Sequence, residues 1–196
     1  MNWITILLFI IWVYLLTVLK RGKLDFWYFC VGSVGMFLFM MIWIQPMITI
    51  PLTRMVAAVA GIIGKLTDTF ESYFHYGILF IDRGKESISL YIDYECSGVI
   101  EIFAFSSMLW FFPVYRLYEK VVVTITGILF IFSANVLRIL VICFMVHIWG
   151  NDVFYIAHTI FGRVVFYFLS AGLYFYVFTK AQIVRQKVGN FKYESD

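Results

Sequence analysis

Long apolar runs separated by short polar breaks set the pattern of this chain. Four stretches, about 3 to 19, 26 to 45, 97 to 113 and 159 to 179, are apolar over the length a helix needs to cross a hydrocarbon core of roughly 30 Å. The run 121 to 148 is long enough as well, although Asn135 and Arg138 interrupt it. The pattern predicts about five transmembrane helices, with the two termini on opposite sides. The first run, Trp3 to Leu19, has no basic segment before it and no small-residue cleavage pattern after it, and it ends on Lys20-Arg21-Gly22-Lys23, as a retained span does.

Basic residues orient the spans. Lys20, Arg21, Lys23, Arg116, Lys120, Lys180, Arg185, Lys187 and Lys192 fall on one side, against Arg54, Lys65, Arg83 and Lys85 on the other. The first side is expected to be cytoplasmic, with the N-terminus outside and a cytoplasmic tail over about 180–196. That leaves an external section over about 46–95, bounded early by Pro46 and Pro51. Met55 to Ile63 is apolar but too short to cross. Lys65, Asp68, Glu71, Ser72 and His75 recur at three- and four-residue spacing, one polar stripe of an amphipathic helix over about 52 to 75 lying on the outer surface. A re-entrant helix buried against the spans is the alternative. From Gly77 to Tyr94, Ile88, Leu90 and Ile92 alternate with Ser89, Tyr91 and Asp93 after a polar RGKE turn, which predicts a short β-hairpin leading to Cys96.

Composition agrees with the spans. The chain is 63% hydrophobic, 21% aromatic and only 14% charged, against roughly a quarter charged in soluble domains. The expected fold class is an all-α polytopic membrane protein, one domain over 1–196, so any chemistry must be built from helix ends and loops. The net charge of +3 comes from basic residues at helix ends, without the interleaved polar residues of a nucleic-acid surface, and no nucleic-acid partner is expected. Cys30, Cys96 and Cys143 are odd in number and lack C-x-x-C spacing, so they support neither a zinc site nor a complete disulfide framework.

Three polar breaks carry candidate chemistry: Cys96 in CSG, Arg138 in NVLRI and His158 in AHTIFG. In the predicted topology all three lie on the outer side. A cysteine acts through its thiolate, which a cation, a histidine or a helix N-terminus favours, and Cys96 is placed to begin a helix. His158 can gain and lose a proton near neutral pH, with His75 and His147 as external competitors. Arg138 keeps its charge and suits an oxyanion donor or a substrate clamp. A cation inside a span costs at least roughly 2.5 to 3.5 kcal/mol and therefore faces the bundle interior with a partner; Asn135 shares its face. Glu101, about 7 to 8 Å deeper than Cys96 along a straight helix, wants a counter-charge, for which Arg138 and Arg163 compete. Ser97 and Gly98 let a substrate backbone come close to the thiol. One tension stands: on a helix running straight to His147, Arg138 lies about 14 Å below the outer end, deep for a partner of a surface thiol.

At these residues the chain resembles the exosortase/archaeosortase family of membrane cysteine transpeptidases. The resemblance rests on Tyr94-Glu95-Cys96-Ser97-Gly98, then Asn135-Val136-Leu137-Arg138-Ile139, then His158-Thr159-Ile160-Phe161-Gly162, in this order within a multispan frame. The chain is most similar to the small Gram-positive-type branch. The resemblance implies that Cys96 is the nucleophile, Arg138 the transition-state stabiliser and His158 the acid/base or orienting group, with no metal or organic cofactor. It implies secreted protein substrates bearing a C-terminal motif, a transmembrane helix and a basic tail, cleaved at the outer face of the cell membrane and passed through a thioacyl-enzyme to an acceptor. Competing readings of the same residues are a non-enzymatic membrane assembly factor and a small transporter lined by Glu101, Arg138 and Arg163.

Overall fold

The computed structural model describes residues 3–83, 86–92 and 96–183. Five helices among them are long and apolar enough to cross a membrane: α1 (Trp3–Arg21), α2 (Asp25–Trp43), α3 (Gln45–Thr67), α5 (Leu117–Trp149) and α6 (Asn151–Ile183). Between α3 and α5 come strands β1 (Phe70–Tyr73), β2 (Ile78–Arg83) and β3 (Glu86–Tyr91), and then the short helix α4 (Val99–Phe111). The chain is an all-α polytopic membrane protein carrying one small antiparallel sheet of order β1-β2-β3.

The set of long helices differs from the expected one in two places. The stretch expected to span over 97 to 113 yields only 13 helical residues, because Gly98 takes a left-handed conformation before it and Phe112 turns extended after it, ahead of Pro113. The helix expected over 52 to 75 instead begins at Gln45 and stops at Thr67. Pro46 occupies its first turn, where a missing N–H leaves no bond unmade, and the exposed Pro51 is tolerated inside it. Asp68, left-handed at φ 52°, caps it by donating its N–H to the Gly64 carbonyl. The polar stripe read as helical therefore leaves the helix: Glu71 and Ser72 lie in β1, and His75 in the following turn.

β1 is a third strand that the alternation did not reveal. It pairs Phe70 with Ile81 and Tyr73 with Ile78, while β2 pairs Ile81 with Ile88 and Ile78 with Tyr91. The alternation of β3 holds: Leu90 and Ile92 are buried, whereas Ser89 and Tyr91 face outward. Gly84 and Lys85 of the expected turn, and Asp93, Tyr94 and Glu95 before the thiol, lie outside the described residues, as do Arg185, Lys187 and Lys192.

The sheet lies on the small face of α3. Ala57, Ala60, Gly61 and Gly64 are buried there, and Ser72 Oγ donates to the Ala57 carbonyl at 2.7 Å. A Cβ at Gly61 would meet Ser72 Cβ at 2.3 Å, so glycine sets how near strand and helix can approach. One core cluster joins this layer to the C-terminal half of α5, gathering Val56, Leu79, Ile81, Leu90, Ile139, Ile142, Cys143 and Val146 around Cys96 and Ala157. A second fills the space among α4, α5 and α6 with Phe105, Leu109, Ile131, Ala134, Phe166 and Val177. Lipid tails are as apolar as these side chains, so such packing is held by close contact and by polar ties rather than by escape from water. Tyr115 Oη donates to the Val177 carbonyl at 2.6 Å, and Lys120 Nζ to the Trp110 carbonyl at 2.6 Å. At the amino end of the bundle, Trp12 Nε1 donates to the Val31 carbonyl at 2.9 Å and joins α1 to α2.

Candidate active site

Cys96 lies in the short lead-in between sheet and α4 and is only 4% exposed. The chain bends there because Gly98 adopts φ 80°, a conformation a side chain would strain. The bend also brings Gly98 against Asn135: a Cβ added at the glycine would sit 3.4 Å from Asn135 Cγ. Asn135 is fully buried on α5 and donates from Nδ2 to the Cys96 carbonyl at 2.7 Å, fixing the backbone that carries the thiol. Ser97 Oγ accepts from the Val99 N–H at 3.4 Å, one residue before the Gly98 N-cap. Cys96 thus precedes α4 by three residues instead of beginning it. Helix-terminal charge acts mainly within the first turn, so side chains from other elements dominate the surroundings of the sulfur.

Two such side chains meet it. His158 Nε2 lies 3.2 Å from Cys96 Sγ, and Arg138 Nη2 donates toward the same sulfur at 3.7 Å. The thiol of the α4 lead-in, a guanidinium from α5 and an imidazole from α6 therefore converge at one atom, across separations of 42 and 62 residues. His158 sits in a π-helical turn, Ala157–Phe161, whose extra residue re-aims side chains relative to a regular helix. Its ring stacks on Phe154, with centroids 6.0 Å apart and planes 15° apart.

The depth of Arg138 follows from the length of α5. With 33 residues this helix extends about 50 Å, well beyond a hydrocarbon core of roughly 30 Å. Arg138 lies about 32 Å from its start. The remainder of α5 runs beside the sheet and α3. Arg138 is buried, and its Cζ stands over the Phe166 ring at 5.8 Å.

The other candidates divide. Glu101 is half-buried on α4, while Arg163 is exposed. Glu101 Oε2, Arg138 Nε and Asn135 Oδ1 are shielded and have no hydrogen-bond partner. His75 is exposed, its carbonyl accepting from Arg54 Nε at 3.1 Å, and His147 holds a buried, unpartnered Nδ1. Neither competes with His158 for the thiol. Cys143 is enclosed in the core and Cys30 lies partly buried on α2. Phe154 and Phe166 were not singled out in the sequence. Phe154 does stand four residues before His158, a spacing that pairs side chains on a helix, but the wealth of aromatics hides it. Among the described residues no three His, Cys, Asp or Glu side chains are grouped to hold a metal ion.

A thiol touching an imidazole and a guanidinium, with its backbone anchored, can form and release an acyl thioester. The family model for transmembrane exosortases matches residues 1–176. No curated protein and no solved structure matches the chain.

Proposed function

The chain belongs to the transmembrane exosortase family, and from that premise we propose that it is a membrane cysteine peptidase and transpeptidase that cleaves secreted proteins near their C-terminal sorting signal. The observation that carries this reading is the single sulfur reached by His158 Nε2 at 3.2 Å and by Arg138 Nη2 at 3.7 Å.

Cys96 Sγ attacks the scissile carbonyl carbon as His158 takes the thiol proton. Arg138 donates to the oxyanion that develops next to the sulfur, and the buried position strengthens that interaction. As the C–N bond breaks, His158 returns the proton to the leaving amine, and a thioester to Cys96 remains. An acceptor amine, or water, attacks the thioester, giving its proton to His158, and the freed sulfur regains a proton. Asn135 holds the Cys96 backbone throughout. A substrate whose own transmembrane helix confines it to the same bilayer gains local concentration. The site faces outward in this reading, because Lys20, Arg21, Arg116, Lys120 and Lys180 mark the other end of the bundle as cytoplasmic.

The test is co-expression with secreted proteins that end in a short motif, an apolar span and a basic tail, following C-terminal processing. Wild type is expected to shorten a cognate substrate, and Cys96→Ala, Arg138→Ala and His158→Ala to lose at least about 100-fold in rate, each removing a group acting in the transition state. Processing that survives Cys96→Ala would overturn the reading.

A further inference from the structure

Below the thiol lies a second polar group that the mechanism above leaves unused. Glu101 Oε2 on α4, Arg138 Nε on α5 and Ser170 Oγ on α6 are each shielded from solvent, and each lacks a hydrogen-bond partner. They belong to one neighbourhood. Arg138 stands over the Phe166 ring of α6, and Phe105, four residues beyond Glu101 on α4, meets the Tyr174 ring of α6 at 5.9 Å. Phe166, Ser170 and Tyr174 follow one another at four-residue spacing, a single face of α6. Unsatisfied polar atoms are costly where no bulk water reaches. Polar groups on three helices that stop short of direct contact are satisfied by a shared small ligand, and water is the one that fits donors and acceptors alike.

We propose that Glu101 is the counter-charge of Arg138 across a small water-holding pocket, and that this pair sets how strongly the guanidinium acts on the Cys96 thiol. Arg138 has two calls on its charge. Nη2 points toward the sulfur, while Nε is free to be solvated from the side of Glu101. An anion beside the guanidinium holds it in place and also opposes formation of a second anion at Cys96. Cys96, His158 and Tyr174 are ionisable side chains in this neighbourhood. Glu101 is thus a positioning residue, acting through Arg138. Its catalytic importance rests on the function proposed above.

The experiment follows alkylation of Cys96 by iodoacetamide against pH, in full-length protein in nanodiscs, resolving each cysteine by peptide mass spectrometry. No substrate is needed, so a failure here is distinguishable from a failure of the transpeptidase reading. Glu101→Gln is expected to lower the pH midpoint of Cys96 alkylation by about one unit, the order of one nearby charge in a partly shielded site. Glu101→Asp, which keeps the charge, is expected to stay near wild type, and Cys30 to be unaffected in both. An unchanged midpoint in Glu101→Gln, or equal shifts in Gln and Asp, would overturn the proposal. Infrared difference spectroscopy supplies a second check: no protonated-carboxyl band is expected to vanish on Glu101→Gln at neutral pH, and a band lost in that variant would equally overturn the proposal.

Discussion

Asn135 shows how one buried amide serves a proposed reacting centre it does not itself join. Its Nδ2 holds the Cys96 carbonyl at 2.7 Å, and its body packs against the left-handed Gly98. Asn135→Ala leaves that carbonyl without its donor in a fully buried place, and a loss of about 1 to 3 kcal/mol is expected, read as a lower thermal midpoint of the purified protein. The polar residues of this site were legible in the sequence because each is expensive in an apolar frame: Cys96, Arg138 and His158 stood out, and so did Asn135 and Glu101. Their mutual distances were not legible, since three separate elements bring them together. The aromatic contacts were hidden for the opposite reason. In a chain of 22 phenylalanines, the four-residue spacing of Phe154 from His158 is lost among the rest.

At the scale of elements, the π-helical turn Ala157–Phe161 and the stack of His158 on Phe154 fix the imidazole together. Phe154→Ala is expected to slow processing about tenfold while leaving substrate binding alone, and Phe154→Tyr to restore it, because an aromatic stack is worth about 0.5 to 1.5 kcal/mol; a split of kcat from KM in the processing assay checks this. Helical segments were read well wherever apolar length alone decided them, as in α1, α2 and α5. Reading failed where two periods compete. Lys65, Asp68, Glu71, Ser72 and His75 fit a helical stripe on paper, yet the left-handed Asp68 ends α3 and hands the remainder to β1. Tertiary contacts decide: strand β1 is held by β2 across a tight turn, with Tyr73 opposite Ile78, and by the small face of α3, where Ser72 reaches back to Ala57.

For the molecule as a whole, the basic residues and the packing agree on which ends belong together. Tyr115 tied to Val177 and Lys120 tied to Trp110 gather the carboxyl ends of α4 and α6 with the amino end of α5, the end marked by Arg116, Lys120 and Lys180. With that end cytoplasmic, a reporter active only outside is expected to work at the N-terminus and fail at the C-terminus, and the reverse holds for a reporter active only inside. The two helices that frame the thiol differ greatly in reach. α4 has 13 residues, about 20 Å, while α5 extends about 50 Å. A hydrophobic helix shorter than the hydrocarbon core is accommodated by local thinning of the bilayer. On the function proposed above, changing the acyl-chain length of the surrounding lipid is then expected to change the access of aqueous reactants to Cys96.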